Sequence, residues 1–220
     1  MLINRTNFAV AKCAAKFAGR YAINGVYFSK TGTVATDGRR LACVTYPKQD
    51  GAEDFPTVPG AGEGAPTSPV DALEPFTIDA SDLRVLGKDI RTSKPVLNLI
   101  ALDVLETNAN GHAAFAYTDL SNAQAPRIRK LEGEFPRYEA VIPTPDEKWA
   151  RVTVNPAYLA EMLGIVAKHG GELRGVTIHV PPRVKNEHGR YDPQGPILLT
   201  AKVGDEQKFT GVLMPIALEE

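Results

Sequence analysis

One pattern occurs three times along this chain of 220 residues. A short apolar strand is followed by one amphipathic helix and then by several further strands, in stretches that start near residues 2, 76 and 151. Helices recur at a period of 3.6 residues and strands at a period of 2, so alternation between the two periods indicates repeated β-α-β-β-β units. We therefore predict an α+β fold in which the helices cover one face of antiparallel sheets.

Each repeat carries its own helix signals. The first helix is expected from about Thr6 to Ala18, with an apolar stripe of Val10, Cys13, Ala14 and Phe17. The second is expected to be capped near Asp79 or Ser81 and to bury Leu83, Leu86 and Ile90. In the third, Asn155 is the expected N-cap, Pro156 the first helical residue and Gly170 the end, with a stripe of Leu159, Met162, Leu163 and Val166.

The predicted strands complete the three repeats. They lie near residues 2–3, 22–29, 33–36 and 40–46 in the first, 76–78, 96–102, 104–108, 112–118 and 127–131 in the second, and 151–154, 176–180, 197–203 and 209–215 in the third. Two polar segments, residues 48–75 and 181–196, interrupt this order as long loops.

Charge is segregated along the chain, although the formal net charge is only −1. Residues 1–47 contain seven basic residues and one acid, whereas the loop 48–75 contains one basic residue and six acids. On the first two predicted helices, the basic residues recur at i, i+4 and i+7 or i+8, opposite the apolar stripe. An ordinary solvated helix face is the alternative, but such a face usually mixes both signs. The pattern favours a surface that meets phosphates without reading bases, formed by Lys12, Lys16, Arg20, Arg84, Lys88 and Arg91.

Several short motifs resemble the bacterial β sliding clamp, the processivity subunit of DNA polymerase III. Residues 23–28 and 34–42 are similar to its middle domain, and 132–143 to the stretch that closes that domain. Residues 154–159 and 212–216 resemble the helix start and the last strand of its final domain. The matches occur in the family's order and cover most of the chain outside the two loops, so the resemblance implies the DNA clamp fold.

The resemblance also implies a pocket for a short extended peptide with Leu or Phe anchors. Its residues would be Ile23, Thr36, Gly38, Arg40, Leu41, Pro143, Tyr158, Val212, Met214 and Pro215. Without the resemblance, Ile23, Leu41, Val212 and Met214 could equally be core strand residues. Asp37 is expected to shape a tight turn before Gly38 rather than to act as a catalytic carboxylate.

The chain supplies three repeats where the family chain has six, so we expect a complete domain at residues 1–146 and a half domain at 147–220. The half domain is predicted to be completed by oligomerisation. If a ring needs about twelve repeats, a closed homo-oligomer of four chains is expected.

These observations predict a DNA sliding clamp that encircles duplex DNA without sequence specificity and tethers a polymerase, with the clamp loader bound through similar short peptides. The alternative is an adaptor or decoy of the same fold that binds such peptides without encircling DNA. An enzyme is disfavoured, because the four histidines lack metal-type spacing and no nucleophile elbow or phosphate-binding loop is present. We expect no cofactor, metal or membrane partner.

The two cysteines, Cys13 and Cys43, are expected to be buried reduced thiols of a cytoplasmic protein. The first 36 residues contain basic residues and no acid, which imitates a transit peptide. However, residues 21–28 continue directly into a strand-like run, which disfavours a removable segment.

Overall fold

The computed structural model describes residues 2–48, 74–93, 99–105, 111–118, 123–146, 149–169, 175–182, 195–203 and 207–216. They form two compact units, residues 1–141 and 142–220. Most of the predicted loops 48–75 and 181–196 lies outside the described residues, as does Gly170.

The first unit contains two repeats. In the first, strand β1 (Leu2–Asn4) leads into helix α1 (Arg5–Ala9) and a short 3-10 helix (Val10–Cys13), followed by β2 (Gly25–Phe28), β3 (Gly32–Thr36) and β4 (Leu41–Thr45). In the second, β5 (Phe76–Asp79) leads into α2 (Ala80–Ser93), followed by β6 (Leu99–Leu105), β7 (His112–Thr118), β8 (Ala123–Gln124) and β9 (Arg127–Leu131). A second 3-10 helix, Tyr138–Val141, closes this unit.

The two repeats of this unit exchange their first strands. β1 of the first repeat pairs with β6 of the second, and β5 of the second pairs with β2 of the first. All pairs are antiparallel, and the order of hydrogen-bonded neighbours among the described strands is β1-β6-β7-β9-β5-β2-β3-β4, with β8 beside β7. Each first strand therefore pairs with the second strand of the other repeat, while β5 also pairs with β9 of its own repeat.

Helices α1 and α2 pack together over the core of this unit. As predicted, Leu83, Leu86 and Ile90 are buried and Asp79 caps α2, with its Oδ1 accepting the N–H of Ser81 at 2.7 Å. The sheet contributes Phe28 and Phe115, both fully buried. Aromatic rings stack or meet edge to face here, which adds directional packing to the apolar burial.

The predicted first helix is wrong beyond Cys13. Ala14 is extended, and the N–H of Ala15 donates to the carbonyl of Ile23 instead of continuing the helix. The last carbonyls, of Ala11 and Lys12, accept hydrogen bonds from the guanidinium groups of Arg84 and Arg40. These partners come from distant positions in the chain, so the periodicity of the first repeat could not reveal where the helix ends.

Phe17 shows the consequence of that early end. Its side chain is 81% exposed rather than part of the core. We therefore expect Phe17→Ala to change the free energy of unfolding by less than about 0.5 kcal/mol, as for an ordinary surface substitution. The matched Phe115→Ala should cost about 3–5 kcal/mol, because that ring is fully buried. Urea unfolding followed by circular dichroism measures both values. If Phe17→Ala lowers the free energy of unfolding by more than about 2 kcal/mol, the ring belongs to the core after all.

The second unit contains the third repeat. Helix α3 (Pro156–His169) lies on a sheet in the order β10 (Thr177–His179), β11 (Ile197–Val203) and β12 (Gln207–Leu213). Asn155 caps the helix as predicted, because its Oδ1 accepts the N–H of Ala157 at 2.9 Å. The core combines Ile197, Leu199 and Leu213 with the predicted helix stripe Leu159, Met162, Leu163 and Val166.

Other strand predictions need correction. Residues 99–105 form one continuous strand, β6, where two strands were predicted, and the rest of those two predicted strands lies outside the described residues. The strand predicted at residues 151–154 is wrong, because these residues form no strand.

The prediction that both cysteines are buried is also wrong. Both are free thiols, but Cys13 is half-buried and Cys43 is exposed. Cys43 lies on β4, the last strand of the sheet order, so the apolar character of its neighbours does not bury it.

Candidate nucleic-acid interface and peptide-binding residues

Three basic side chains gather around the end of the first 3-10 helix. Arg84 Nη2 donates to the carbonyl oxygen of Ala11 at 2.5 Å, and Arg40 Nη2 donates to that of Lys12 at 3.1 Å. Cations at a helix C-terminus offset the partial negative charge of its free carbonyls. Lys12 itself is exposed beside them. The fold thus brings Lys12 and Arg84 close together, although they were predicted on separate helices.

The other two predicted basic residues of the first repeat do not lie on a helix. Lys16 and Arg20 are exposed in the segment that folds back between Ala14 and Asn24. The guanidinium of Arg20 lies 5.5 Å from the centroid of the Tyr21 ring. Because Phe17 lies between Lys16 and Arg20 and is exposed, this segment places aromatic rings among basic side chains. In the expected helix, the ring of Phe17 would have been buried.

Helix α2 presents two different charged stripes. Arg84 and Lys88 are exposed on one, in line with Arg91, whose backbone is helical but whose side chain lies outside the described residues. Asp82 and Asp89 lie on the other and line a groove of about 350 Å³ with Val85, Leu86 and residues 126–129 of β9 and its approach. The face of α2 is therefore less uniformly basic than predicted, but its acids are directed to a separate groove.

The turn between β3 and β4 is organised by Asp37, as predicted. Its Oδ1 accepts hydrogen bonds from the backbone N–H groups of Arg39 and Arg40 at 3.0 and 3.1 Å. Its Oδ2 accepts one from Nε of Arg40 at 3.0 Å. The hydrogen bond from the backbone N–H of Arg39, together with those from Arg40, holds the pKa of the Asp37 carboxyl below its usual value. Gly38 has φ +83°, which favours glycine. The carboxylate that accepts these hydrogen bonds therefore stays ionised to a lower pH than that of an ordinary aspartate.

This turn brings together four of the residues expected in a peptide pocket. Thr36 Oγ1 donates to the carbonyl of Arg40 at 2.8 Å and accepts the N–H of Gly38 at 3.1 Å. Leu41 is half-buried against a cluster of Val34, Tyr27, Phe135 and Tyr138. The rings of Tyr27 and Phe135 stack at 4.8 Å. No sequence pattern predicted that these aromatic rings support Leu41, although Phe135 and Tyr138 lie in residues 132–143, which resemble the β sliding clamp.

The remaining pocket candidates are described within their own units. Ile23 is half-buried in the first unit. In the second, Tyr158, Val212 and Met214 are 57%, 60% and 64% exposed, Pro143 is exposed and Pro215 is half-buried. The alternative that four of these candidates are core residues is wrong for Val212 and Met214, which are exposed, whereas Leu41 is half-buried against a buried cluster. Large exposed apolar side chains at a strand end are typical of a docking surface.

Other site types have little support among the described residues. No group of three or more His, Cys, Asp or Glu side chains there could hold a metal ion. Of the described histidines, His112 and His179 lie on strands, and His169 ends α3. Within the described part of the chain, no helix has the length and apolar character needed to cross a membrane.

Solved structures with the same fold decide the architecture. The DNA polymerase sliding clamp from Caulobacter crescentus matches with a TM-score of 0.58 at 16% sequence identity, over 100% of this chain and 51% of that one. This protein has the DNA clamp fold. The β subunit from the DNA polymerase of Streptococcus pyogenes also matches with a TM-score of 0.58, at 14% identity, over 99% of this chain and 50% of the clamp.

The clamp fold here comes in a short chain with a divergent sequence. The chain spans about half the length of the solved clamps that it matches. No family model matches it, and no curated protein matches its sequence. The predicted fold class and the resemblance to the β sliding clamp are confirmed at the level of the fold.

Proposed function

We propose that this chain is a subunit of a sliding clamp that encircles duplex DNA without sequence specificity. The observation that carries the proposal is the similarity to solved sliding clamps over the whole chain, 98% to 100% of it in each case. In this role the protein is a processivity factor rather than an enzyme. It acts in the cytoplasm, where thiols such as the free Cys13 and Cys43 stay reduced.

The proposed DNA-facing surface contains basic side chains on the helix side of the first unit. Lys12 and Arg84 are adjacent through the contact of Arg84 with Ala11, and Lys88 lies one turn further along α2. Lysine and arginine side chains neutralise phosphates regardless of base sequence, so binding is expected to be general and salt-dependent. The full set is Lys12, Lys16, Arg20, Arg84, Lys88 and Arg91.

The second proposed activity is the tethering of DNA polymerase, and of the clamp loader, through short linear peptides. The half-buried Leu41 and the exposed Tyr158, Val212 and Met214 supply apolar contacts for Leu or Phe anchors. Arg40 is held by Asp37 and remains 62% exposed, which leaves donors for a peptide carbonyl or carboxylate. The proposed pocket residues are Ile23, Thr36, Gly38, Arg40, Leu41, Pro143, Tyr158, Val212, Met214 and Pro215.

Topological retention on DNA tests encirclement. The protein is concentrated in the presence of nicked circular plasmid, so that rings close around it, and is then gel-filtered in about 0.5 M salt, where phosphate contacts are weak. We expect a fraction to co-elute with the circle and to be released when one restriction cut linearises the plasmid. Equal retention on circular and linear DNA, or none on either, would contradict encirclement. Peptide binding without retention would instead identify an adaptor of the same fold.

A further inference from the structure

The third repeat exposes apolar side chains that the first two repeats bury. In the first unit, the strand that follows each helix segment has fully buried core residues: Val26 and Phe28 are 0% exposed, and Ile100 and Leu102 are 1% and 2% exposed. On β10, which has the same place in the third repeat, Ile178 is 48% exposed. Ile178 is opposite the fully buried Leu199 in the register, so it lies on the helix side of the sheet.

Helix α3 shows the same difference from α2. The stripe of α2 is almost completely buried, whereas Leu159, Met162 and Leu163 of α3 are only half-buried. Ile165 of α3 is 50% exposed. In the first unit, α2 packs against α1. Within the described residues of the second unit, α3 is the only helix, so no second helix covers its apolar stripe there.

The three repeats can be aligned on their helix caps. Asn4, Asp79 and Asn155 are the cap residues, so Val154 corresponds to Ile78 and Ile3, and Thr153 corresponds to Thr77. The following strands align in the same way, with Gly175-Val176-Thr177-Ile178 corresponding to Gly25-Val26-Tyr27-Phe28. Residues 152–154 therefore correspond to the strands that the first two repeats exchange.

The exchange in the first unit has a defined register. The apolar residue before each cap pairs with an apolar residue of the other repeat, Ile3 with Ile100 and Ile78 with Val26. Each first strand thus completes the partner's sheet at the edge of the partner's second strand. In the third repeat, β10 is an edge strand of the described sheet. Its edge corresponds to the one that receives a first strand in each of the other repeats.

The segment before α3 is already held in the position of a donor strand. The N–H of Ile216, just beyond β12, donates to the carbonyl of Thr153 at 2.8 Å. In the second repeat, the corresponding strand β5 lies beside its own last strand, β9, on one side and beside β2 of the other repeat on the opposite side. Residues 152–154 match the first of these contacts, so their other edge remains for a strand like β10.

We propose that a second copy of this chain completes the third repeat by reciprocal strand exchange. Residues 152–154 of each copy pair with β10 of the other, with Val154 opposite Val176 and Thr153 opposite Thr177. The α3 helices of the two copies then cover each other's half-buried stripes. The contact is isologous, since a two-fold axis makes each copy donor and acceptor.

A second copy fits better than an unrelated partner, because the first unit already shows that repeats of this sequence type complement one another in this way. The inference does not depend on DNA or peptide binding.

Cysteine pairs test both the partner and the register. In a chain with Cys13 and Cys43 replaced by Ser, Thr153→Cys and Thr177→Cys are introduced together and the protein is mildly oxidised. Within one copy, residue 153 lies beyond β12 and residue 177 lies on β10, three strand spacings or about 14 Å apart. A disulfide needs Cα atoms closer than about 7 Å, so this pair cannot close within one chain. We expect a covalent dimer on non-reducing gels.

The control pair is Thr153→Cys with Thr210→Cys, because Thr210 is exposed on β12, away from the proposed contact. It should remain monomeric on the gel. Cross-linking of both pairs alike, or of neither, would overturn the proposed exchange.

Solution mass provides a second measurement that needs no cross-link. Multi-angle light scattering of the unmodified chain should give at least a dimer at about 50 μM. Ile178→Asp should lower the dimer's affinity at least tenfold, since it places a charge in the joint core. Leu198→Asp is the control, because Leu198 is 36% exposed on the sheet face opposite the core. A monomeric unmodified chain, or equal loss in both variants with native circular dichroism, would contradict the proposal.

Discussion

Loss of four basic side chains from the DNA-facing surface is expected to weaken duplex binding more than a thousandfold at about 0.1 M salt. The variant replaces Lys12, Lys16, Lys88 and Arg91 with alanine. Each phosphate contact contributes about 0.9 to the slope of log affinity against log salt, so four lost contacts lower the slope by about 3.6. Extended from about 1 M to 0.1 M salt, that change corresponds to more than three decades of affinity. Fluorescence anisotropy of a labelled duplex across a salt series measures both quantities.

The matched control removes the same charge from other places. Lys30, Lys48, Lys202 and Lys208 are all exposed and lie outside the proposed surface. Their replacement with alanine should leave the slope nearly unchanged. If both variants lose affinity equally, binding depends on net charge alone, and the assignment of the DNA-facing surface is wrong. Arg84 is left intact in the test variant because its contact with Ala11 supports the fold.

Replacement of Leu41 and Met214 with glutamine is expected to abolish binding of a fluorescein-labelled extended peptide with Leu and Phe anchors. Full burial of one such anchor contributes about 1.5–3 kcal/mol, so loss of its apolar contacts weakens binding about tenfold to a hundredfold. Loss at two contacts should move the dissociation constant beyond the measurable range. Met214 is 64% exposed, so its replacement alone should not disturb the fold.

Two controls separate lost contacts from lost structure. Val85→Gln changes an apolar side chain that is 58% exposed on α2, and it should bind the peptide normally. Circular dichroism should confirm that the Leu41 variant keeps its sheet, since Leu41 also packs on the aromatic cluster. Normal peptide affinity in the double variant would place the pocket elsewhere.

The elements that the sequence predicted well are those with strong local signals. Helix α2 combines a cap, a clear stripe and a length of 14 residues, and β7 and β9 have the predicted bounds. The Asp37 turn depends on residues within four positions of one another, so its chemistry is also readable locally.

Elements that depend on distant partners were predicted less well. The first helix ends early because Arg84 and Arg40 bind its last carbonyls and Ile23 accepts the next free N–H group. For the same reason, Lys16, Phe17 and Arg20 lie in an exposed segment rather than on the predicted helix. Within the candidate pocket, the sequence could name Leu41 but not the stacked rings of Tyr27 and Phe135 beneath it.

By itself, the sequence determined that three similar units are present, each with one helix followed by several strands, because apolar periodicity and helix caps are local properties of the chain. It also placed basic and apolar candidates along those units. Only the tertiary structure decided which strands pair, where the first helix stops and which apolar residues stay exposed. Those outcomes depend on hydrogen bonds and packing between residues far apart in the chain, and burial is a property of the assembled core. The reciprocal exchange of β1 and β5, and the edge of β10 that corresponds to it, belong to this second class.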